Sequence, residues 1–265
     1  MATLSISRAW EETKTVLARD GGLMTTVALA LIVLPGIILA VVGAPTGPQA
    51  SLLSRLVYIA VVLLGLVTQI ALNRLAIGPS VTVKDAIGQG LVRLLSVVAV
   101  FVLLIVALVV VTFILAILLG ATAELQAGRP PAAIVLVLAA LTALAFTILQ
   151  LIFPVAAVET GNPLRLITRS WQLARSQYWR LLVFVIIVFV GLGIGLIAAE
   201  FGMASVIVLF LGQPNAGSMS ALLLGVVASA LQAAFTVVTA VMLARMYVQL
   251  SGGGTAQAGV PRSGI

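Results

Sequence analysis

The stretch LLSVVAVFVLLIVALVVVTFILAILLG, residues 94–120, decides the fold because no charged side chain interrupts it. A helix of about 20 apolar residues is long enough to cross the hydrocarbon layer of a bilayer. The rest of the 265-residue chain has the same character: 62% of its residues are hydrophobic, 8% are charged, and the mean hydropathy is +1.29. Since soluble domains carry about 25% charged residues, we expect lipid to cover much of this protein.

Apolar runs of similar length occur at five further places. Backbone polar groups in lipid must be hydrogen-bonded within a helix or a closed barrel, and the alternating pattern of barrel strands is absent. We therefore predict an all-α integral membrane protein with six transmembrane helices, at residues 22–44, 52–73, 94–120, 131–157, 181–199 and 220–243. Because the fifth helix is predicted to end near Glu200, residues 201–211 would lie along the interface or return into the bundle.

Basic residues are divided unequally between the two sides of this predicted bundle. With six spans, both termini lie on one side, and that side holds twelve of the fourteen Lys and Arg residues. Only Arg55 and Arg129 lie on the other side. Because basic residues stay on the cytoplasmic side during insertion, we expect both termini to be cytoplasmic. The formal net charge of +7 therefore reflects topology, and no nucleic-acid partner is expected.

Short motifs recur at multiples of about 80 residues. SRAW at 7–10 resembles TRSW at 168–171, and an arginine follows nine residues after each tryptophan. A glutamine also recurs in the second helix of each predicted pair. We predict a single membrane domain, residues 1–250, made of three repeat units at about 1–78, 79–160 and 161–250, each an amphipathic segment and two spans. The middle unit matches poorly, and six evenly spaced helices are the alternative explanation. The Gly-rich residues 251–265 predict a flexible tail.

Amphipathic segments precede the first and the fifth span, and we call them elbows. On a helical wheel each elbow places a tryptophan opposite arginines, as in helices that lie in the membrane interface. The simplest interpretation is that the elbows set the depth and orientation of the protein. The alternative is a cradle for anionic headgroups, to which each basic residue contributes about 1 kcal/mol of attraction. The candidate interface residues are Arg8, Trp10, Arg19, Arg165, Arg169, Trp171, Arg175 and Arg180.

Few strongly polar groups are predicted near the membrane interior. Glu159 ends the fourth span ten residues before Arg169, across a GNP turn, and we predict a structural ion pair between them. A functional carboxylate is the alternative. Pro154 is expected to bend the same helix.

The deepest amide side chains are Gln69, Gln150 and Gln232. Such amides usually bond across helices, and a central polar site shared by all three is the alternative.

The remaining motifs argue against catalysis. The chain has no Cys and no His, which excludes disulfides, thiol nucleophiles and imidazole acid–base chemistry. No group of metal ligands and no Ser–base pair is visible, so we predict no enzyme activity, no metal and no cofactor. Gly191 and Gly195 have the GxxxG spacing of a helix-packing face. Glu124 and Glu200 are expected near the outer side, solvated at the interface, and a proton or cation pair is the alternative.

The layout and the stretch PVAAVETGNPLRLITRSWQLARSQYWRLL, residues 154–182, resemble a family of bacterial membrane proteins named for the membrane domain of some glycerophosphoryl diester phosphodiesterases. The matching residues are Arg169, Ser170 and Leu173 of an R-S-x-x-L-type elbow, with Glu159 upstream. The resemblance covers most of residues 5–250. It implies about six spans and residence in the bacterial inner membrane. It does not imply phosphodiester chemistry, because the catalytic barrel of the full-length enzymes is missing from this chain.

The sequence thus predicts a non-enzymatic membrane module that associates with lipids or partner proteins, in envelope lipid homeostasis. The expected partners are membrane lipids with anionic headgroups, and other proteins or further copies of the chain. The alternative is a small transporter or channel with a polar path between the helices. A cavity that reaches the three glutamines would favour the transporter, and a sealed bundle with exposed basic elbows would favour the module.

Overall fold

The computed structural model describes residues 4–43, 45, 50–78, 81–214 and 218–252. Every regular element in these residues is a helix, with no strand. The predicted tail, apart from residues 251 and 252, lies outside the described residues. The helices are α1 (Ile6–Ala28), α2 (Leu34–Val42), α3 (Leu52–Ile77), α4 (Val83–Leu118), α5 (Thr122–Gln126), α6 (Ala132–Leu149), α7 (Ile152–Val158), α8 (Pro163–Arg175), α9 (Tyr178–Val185), α10 (Gly193–Leu211) and α11 (Met219–Leu250).

Six of the helical segments in the described residues are long and apolar enough to cross a membrane. Several consist of two helices joined without a loop, either through a π-helical turn or through a short break. The prediction of an all-α protein with six spanning helices is therefore confirmed, and the chain is a multi-pass membrane protein. The six segments are Ile6–Val42, Leu52–Ile77, Val83–Leu118, Ala132–Val158, Tyr178–Leu211 and Met219–Leu250.

The elbows differ from one another in the structure. The first elbow is not a separate helix, because α1 runs from Ile6 through the elbow directly into the first span. Nothing in this segment stops a helix before Pro35, and there the helix widens into a π-helical turn, Leu29–Val33, instead of ending. The elbow before the fifth span is a separate helix, α8. The threefold repeat stays a prediction.

Residues 201–211 do not lie along the interface or return into the bundle. They are the last three turns of α10, which continues the fifth span to Leu211. The segment FGMASVIVLFL contains no residue that ends a helix, and the helix stops only where Gly212 adopts φ +81°. The fifth spanning segment, Tyr178–Leu211, therefore ends twelve residues beyond the predicted end at residue 199.

Pro154 interrupts the fourth span as expected. α6 ends at Leu149 and α7 begins at Ile152. Pro154 has no N–H to donate to the carbonyl of Gln150, four residues earlier. At the break, the N–H of Leu151 donates to the carbonyl of Ile148, at 3.0 Å. This bond spans three residues, as in a tighter 3₁₀ turn, instead of the four of an α-helix.

The core lies mainly where α3 and α11 meet their neighbours. One cluster joins α7, α8 and α9 to α3 and α11 around side chains such as Ile70, Phe184 and Met246, all fully buried. A second joins α1, α3 and α11 around Met24, Leu72 and Ala240. Outside these clusters, α4 and α6 expose most of their apolar residues, as lipid-facing helices do.

A close helix crossing joins α2 to α11 through small residues. A Cβ added at Gly36 would lie 2.9 Å from Ser229 Cβ, and a Cβ added at Gly225 would overlap the Cβ of Ala40. Each helix thus contributes two small residues at i and i+4, which lets the backbones approach. The predicted packing face of Gly191 and Gly195 has no such role here, because nothing lies within 4 Å of a Cβ built at either position.

Candidate membrane-interface site

Most basic residues gather at one end of the helix bundle, which we call the basic end. It is the end where α1 begins, α3, α7 and α11 finish, and α8 and α9 meet. Long-range hydrogen bonds connect these segments, including one from Arg245 Nη2 to the Ala76 carbonyl at 2.6 Å. Of the described basic residues, those of the basic end are Arg8, Lys14, Arg19, Arg74, Lys84, Arg93, Arg165, Arg169, Arg175, Arg180 and Arg245. Arg55 and Arg129 belong to the opposite end.

Helix α8 is defined at both ends by its sequence. The Oδ1 atom of Asn162 accepts a hydrogen bond from the Arg165 N–H at 3.0 Å, and Pro163 occupies the first turn. The helix ends at Arg175, and Gln177 then begins a new helix, α9. These two turns separate α8 from the helices before and after it, so α8 does not continue either spanning segment.

Three faces of α8 have different environments. The inward face packs on the core through buried residues that include Leu166, Ser170 and Leu173. A second face exposes Leu164 and Trp171, which suit the level of lipid headgroups and upper acyl chains. The third face carries polar and basic side chains and lines a cleft of about 440 Å³ formed by Glu159, Arg165, Thr168, Arg169 and Gln172. This arrangement is typical of a helix at a membrane interface.

Glu159 holds three helices together at this cleft. Arg169 Nε on α8 donates to Glu159 Oε1 at 2.9 Å, which is the ion pair predicted from the sequence. The hydroxyl of Tyr247 on α11 donates to the same oxygen at 3.0 Å. Glu159 itself follows the last residue of α7. The carboxylate therefore fixes α8 to the ends of two spanning segments, and its geometry supports the structural role over the functional one.

Basic residues of α1 are already neutralised by neighbours in the same helix. Arg8 pairs with Glu12 at 2.8 Å, and Arg19 pairs with Asp20 at 2.6 Å. Lys14 is 2.7 Å from Glu11. Trp10 is exposed beside them. Paired cations offer little attraction to a lipid phosphate, so the two elbows are not equivalent even though their sequences are similar.

Arg180 at the start of α9 is used to hold the beginning of the chain. Its Nη1 donates to the carbonyl of Leu4 at 3.3 Å, and the N–H of Leu4 donates to Gln177 Oε1 at 2.6 Å. The N–H of Ser5 donates to Gln249 Oε1 at 3.0 Å. Beside these bonds, residues 175–180 line a second cleft of about 430 Å³. Sequence reasoning missed Gln177, Gln249 and Tyr247, since no local pattern marks partners so far apart in the chain.

The three glutamines do not share one environment. Gln150 is buried at the break between α6 and α7. Gln69 Oε1 is buried without a hydrogen-bond partner. Gln232 is exposed, and its Nε2 lies 3.5 Å from Thr236 Oγ1 in the same helix. Among the described residues, no hydrogen bond joins any two of these amides, so the structure gives no support to a polar site shared by all three.

The described part of the chain contains no group of three or more acidic, His or Cys side chains that could hold a metal ion. Its candidate site is thus a surface of arginines, amides and tryptophan at the basic end, suited to anions at a membrane interface.

Comparison with known proteins gave one result. A family model described as "Domain of unknown function (DUF7847)" matches residues 4–250. No curated protein and no solved structure matched the chain. Because the matched residues include all eleven helices of the structure, the protein belongs to the DUF7847 family.

Proposed function

We propose that this protein is a non-enzymatic module of the bacterial inner membrane that associates with anionic lipids through the polar face of α8. The observation that carries the proposal is the difference between the two elbows. Arg165 and Arg175 on α8 have no acidic partner within the part of the chain that the structure describes, whereas Arg8 and Lys14 on α1 are both paired. Unpaired guanidinium groups are the better phosphate ligands.

The orientation of α8 supports the same function. Its exposed Trp171 and Leu164 would enter the interface while the basic face meets lipid phosphate. The Glu159 carboxylate and the Leu4 carbonyl engage Arg169 and Arg180, so these two arginines position the helix and leave Arg165 and Arg175 for ligands. The resemblance to phosphodiesterase membrane domains supports a role in envelope lipid homeostasis and a location in a bacterial inner membrane.

Native mass spectrometry of the protein in nanodiscs of native lipid tests the proposal. The variant Arg165→Gln/Arg175→Gln should lose a stoichiometric anionic lipid that the parent protein retains. The matched control, Arg8→Gln/Lys14→Gln, removes the same charge from the elbow whose cations are already paired, and it should retain the lipid. If the parent protein carries only bulk lipid, or if both variants lose lipid equally, α8 is a topological anchor and the proposal is wrong.

We also propose that the basic end faces the cytoplasm, because eleven of the thirteen described basic residues belong to it. The chain contains no Cys, so single-cysteine variants give an unambiguous test. A cysteine at Arg129 should react with a membrane-impermeant maleimide from the periplasmic side of intact cells, and a cysteine at Arg175 should react only after the inner membrane is opened. The reverse pattern would invert the topology.

A further inference from the structure

Glu200 lies in a cleft between two spanning segments, far from the basic end. It belongs to α10, and the cleft of about 240 Å³ is lined by Glu200, Phe201, Ala204, Leu224, Val227 and Ala228. Apart from the carboxylate, every lining side chain is apolar. The cleft therefore combines one acidic group with a hydrocarbon-like wall, a combination absent from the site described above.

The carboxylate lies within an apolar helical segment, not at its end. Eleven residues of α10 follow Glu200, which at 1.5 Å per residue is about 16 Å of helix. Phe201, Leu209 and Phe210 in this extension are 71%, 79% and 79% exposed, and only lipid solvates such side chains at this density. The apolar surface of the helix thus continues for three turns beyond Glu200. The sequence pattern predicts that the fifth span ends near Glu200, because residues 201–211 are too few to form a span of their own.

Helix α11 gives an independent measure of the same depth. The lining residues Leu224, Val227 and Ala228 lie five to nine residues after its first residue, Met219. This spacing corresponds to about 8–14 Å along the helix axis. Both helices therefore place the carboxylate more than one turn below the end of the bundle.

No described residue forms a salt bridge with Glu200. Within the described residues it has no ion pair and no hydrogen bond from another side chain. Each of the other side chains of the cleft carries only carbon atoms. An acidic side chain at membrane depth without a partner is costly, and such residues usually face a ligand, an ion path or another polar group. The cleft therefore offers a carboxylate and apolar walls to a positively charged ligand.

We propose that this cleft binds an amphiphilic cation, with its ammonium group against the Glu200 carboxylate and its alkyl chain against α10 and α11. The small side chains of Ala204 and Ala228 make the room, and the apolar walls favour a ligand that arrives from the lipid phase. The volume of about 240 Å³ is below that of pockets for drug-sized molecules, about 300–1,000 Å³, so it suits a headgroup-sized cation with the first part of its chain. Both a lipid with an amine headgroup and a free alkylammonium ion have this chemistry.

Equilibrium binding of tritiated dodecyltrimethylammonium to the protein in phosphatidylglycerol nanodiscs, whose lipid has no ammonium group, tests the proposal, with empty nanodiscs subtracted. The parent protein should show one saturable site, and Glu200→Gln should weaken it at least tenfold. The matched control is Glu124→Gln, which neutralises an exposed acidic residue of α5 and should leave binding unchanged. Unlabelled dodecanol, which has the same chain without the charge, should fail to displace the probe.

A second variant tests the proposal even if Glu200→Gln fails to fold. Ala204→Leu fills the cleft and retains the carboxylate, and it should also abolish the saturable site. Added phosphatidylethanolamine that competes with the probe identifies a lipid amine as the occupant, and its failure to compete identifies a free amphiphilic cation. Unchanged binding in both variants, or equal displacement by dodecanol, would overturn the proposal.

Discussion

Replacing Gly225 by alanine should destabilise the protein, although alanine is the better helix former. A Cβ at this position would overlap the Cβ of Ala40 on α2, while carbon atoms in contact prefer a separation of about 3.5–4.0 Å. Overpacking of this kind costs about 1–3 kcal/mol, and the higher helix propensity of alanine offsets up to about 1 kcal/mol. We expect a net loss of about 1–2 kcal/mol in the free energy of unfolding.

The assay is equilibrium unfolding by SDS from dodecyl maltoside micelles, followed by the helical circular dichroism signal. Gly195→Ala is the matched control, because this glycine also lies in a spanning segment and nothing is within 4 Å of its added Cβ. There the propensity gain is unopposed, so the control should be neutral or stabilised by up to about 1 kcal/mol. The two substitutions are chemically identical, and they differ only in what the new methyl group meets.

A double variant identifies the contact itself. In Gly225→Ala/Ala40→Gly the overlapping methyl group is removed, and the nearest atom to the new Cβ becomes the Cα of residue 40, at 3.8 Å. The double variant should therefore be at least about 1 kcal/mol more stable than the sum of the single losses. Strict additivity, or a Gly225→Ala variant as stable as Gly195→Ala, would refute the assignment of this crossing.

Two further substitutions test the basic end by the same unfolding assay. Glu159→Ala should cost about 1–4 kcal/mol, because it leaves the buried Tyr247 hydroxyl without an acceptor, at about 1–3 kcal/mol, and removes a partly exposed ion pair worth up to about 1 kcal/mol. Tyr247→Phe alone should lower the free energy of unfolding by about 0.5–1.5 kcal/mol. In the Glu159→Ala background the same substitution should cost almost nothing. Equal losses in both backgrounds would show that the two side chains do not interact. Arg245→Gln should cost about 1.5–3 kcal/mol, since a charged donor to the Ala76 carbonyl is lost, and Arg245→Lys should recover part of the loss if hydrogen bonding, rather than packing, is responsible.

The spans and the α8 elbow could be predicted from the sequence because their causes are local. Long uncharged runs determine the spanning segments, and Asn162 with Pro163 marks the start of α8. The pairing of Glu159 with Arg169 could be predicted for the same reason, because only ten residues and one turn separate them. In each of these cases, a few neighbouring residues are enough to determine the local structure.

Contacts between distant segments could not be predicted in this way. Gly191 and Gly195 have the same spacing as Gly36 and Ala40, and only the assembled bundle shows which pair meets another helix. Tyr247 lies 88 residues from Glu159, and no pattern on α11 distinguishes it from other interfacial tyrosines. The extension of α10 was missed for a different reason, since an apolar stretch of eleven residues is too short to be read as a span.

The bonds at the start of the chain set the order in which the protein is completed. Leu4 binds Gln177, and Ser5 binds Gln249, across separations of 173 and 244 residues. During synthesis the first segment enters the membrane before either partner exists, so its first residues stay without these partners until the last helix arrives. Closing the basic end therefore requires that α11 has been synthesised. A ribosome that stalls before residue 249 would leave an open bundle, and membrane quality control would have that opening to recognise.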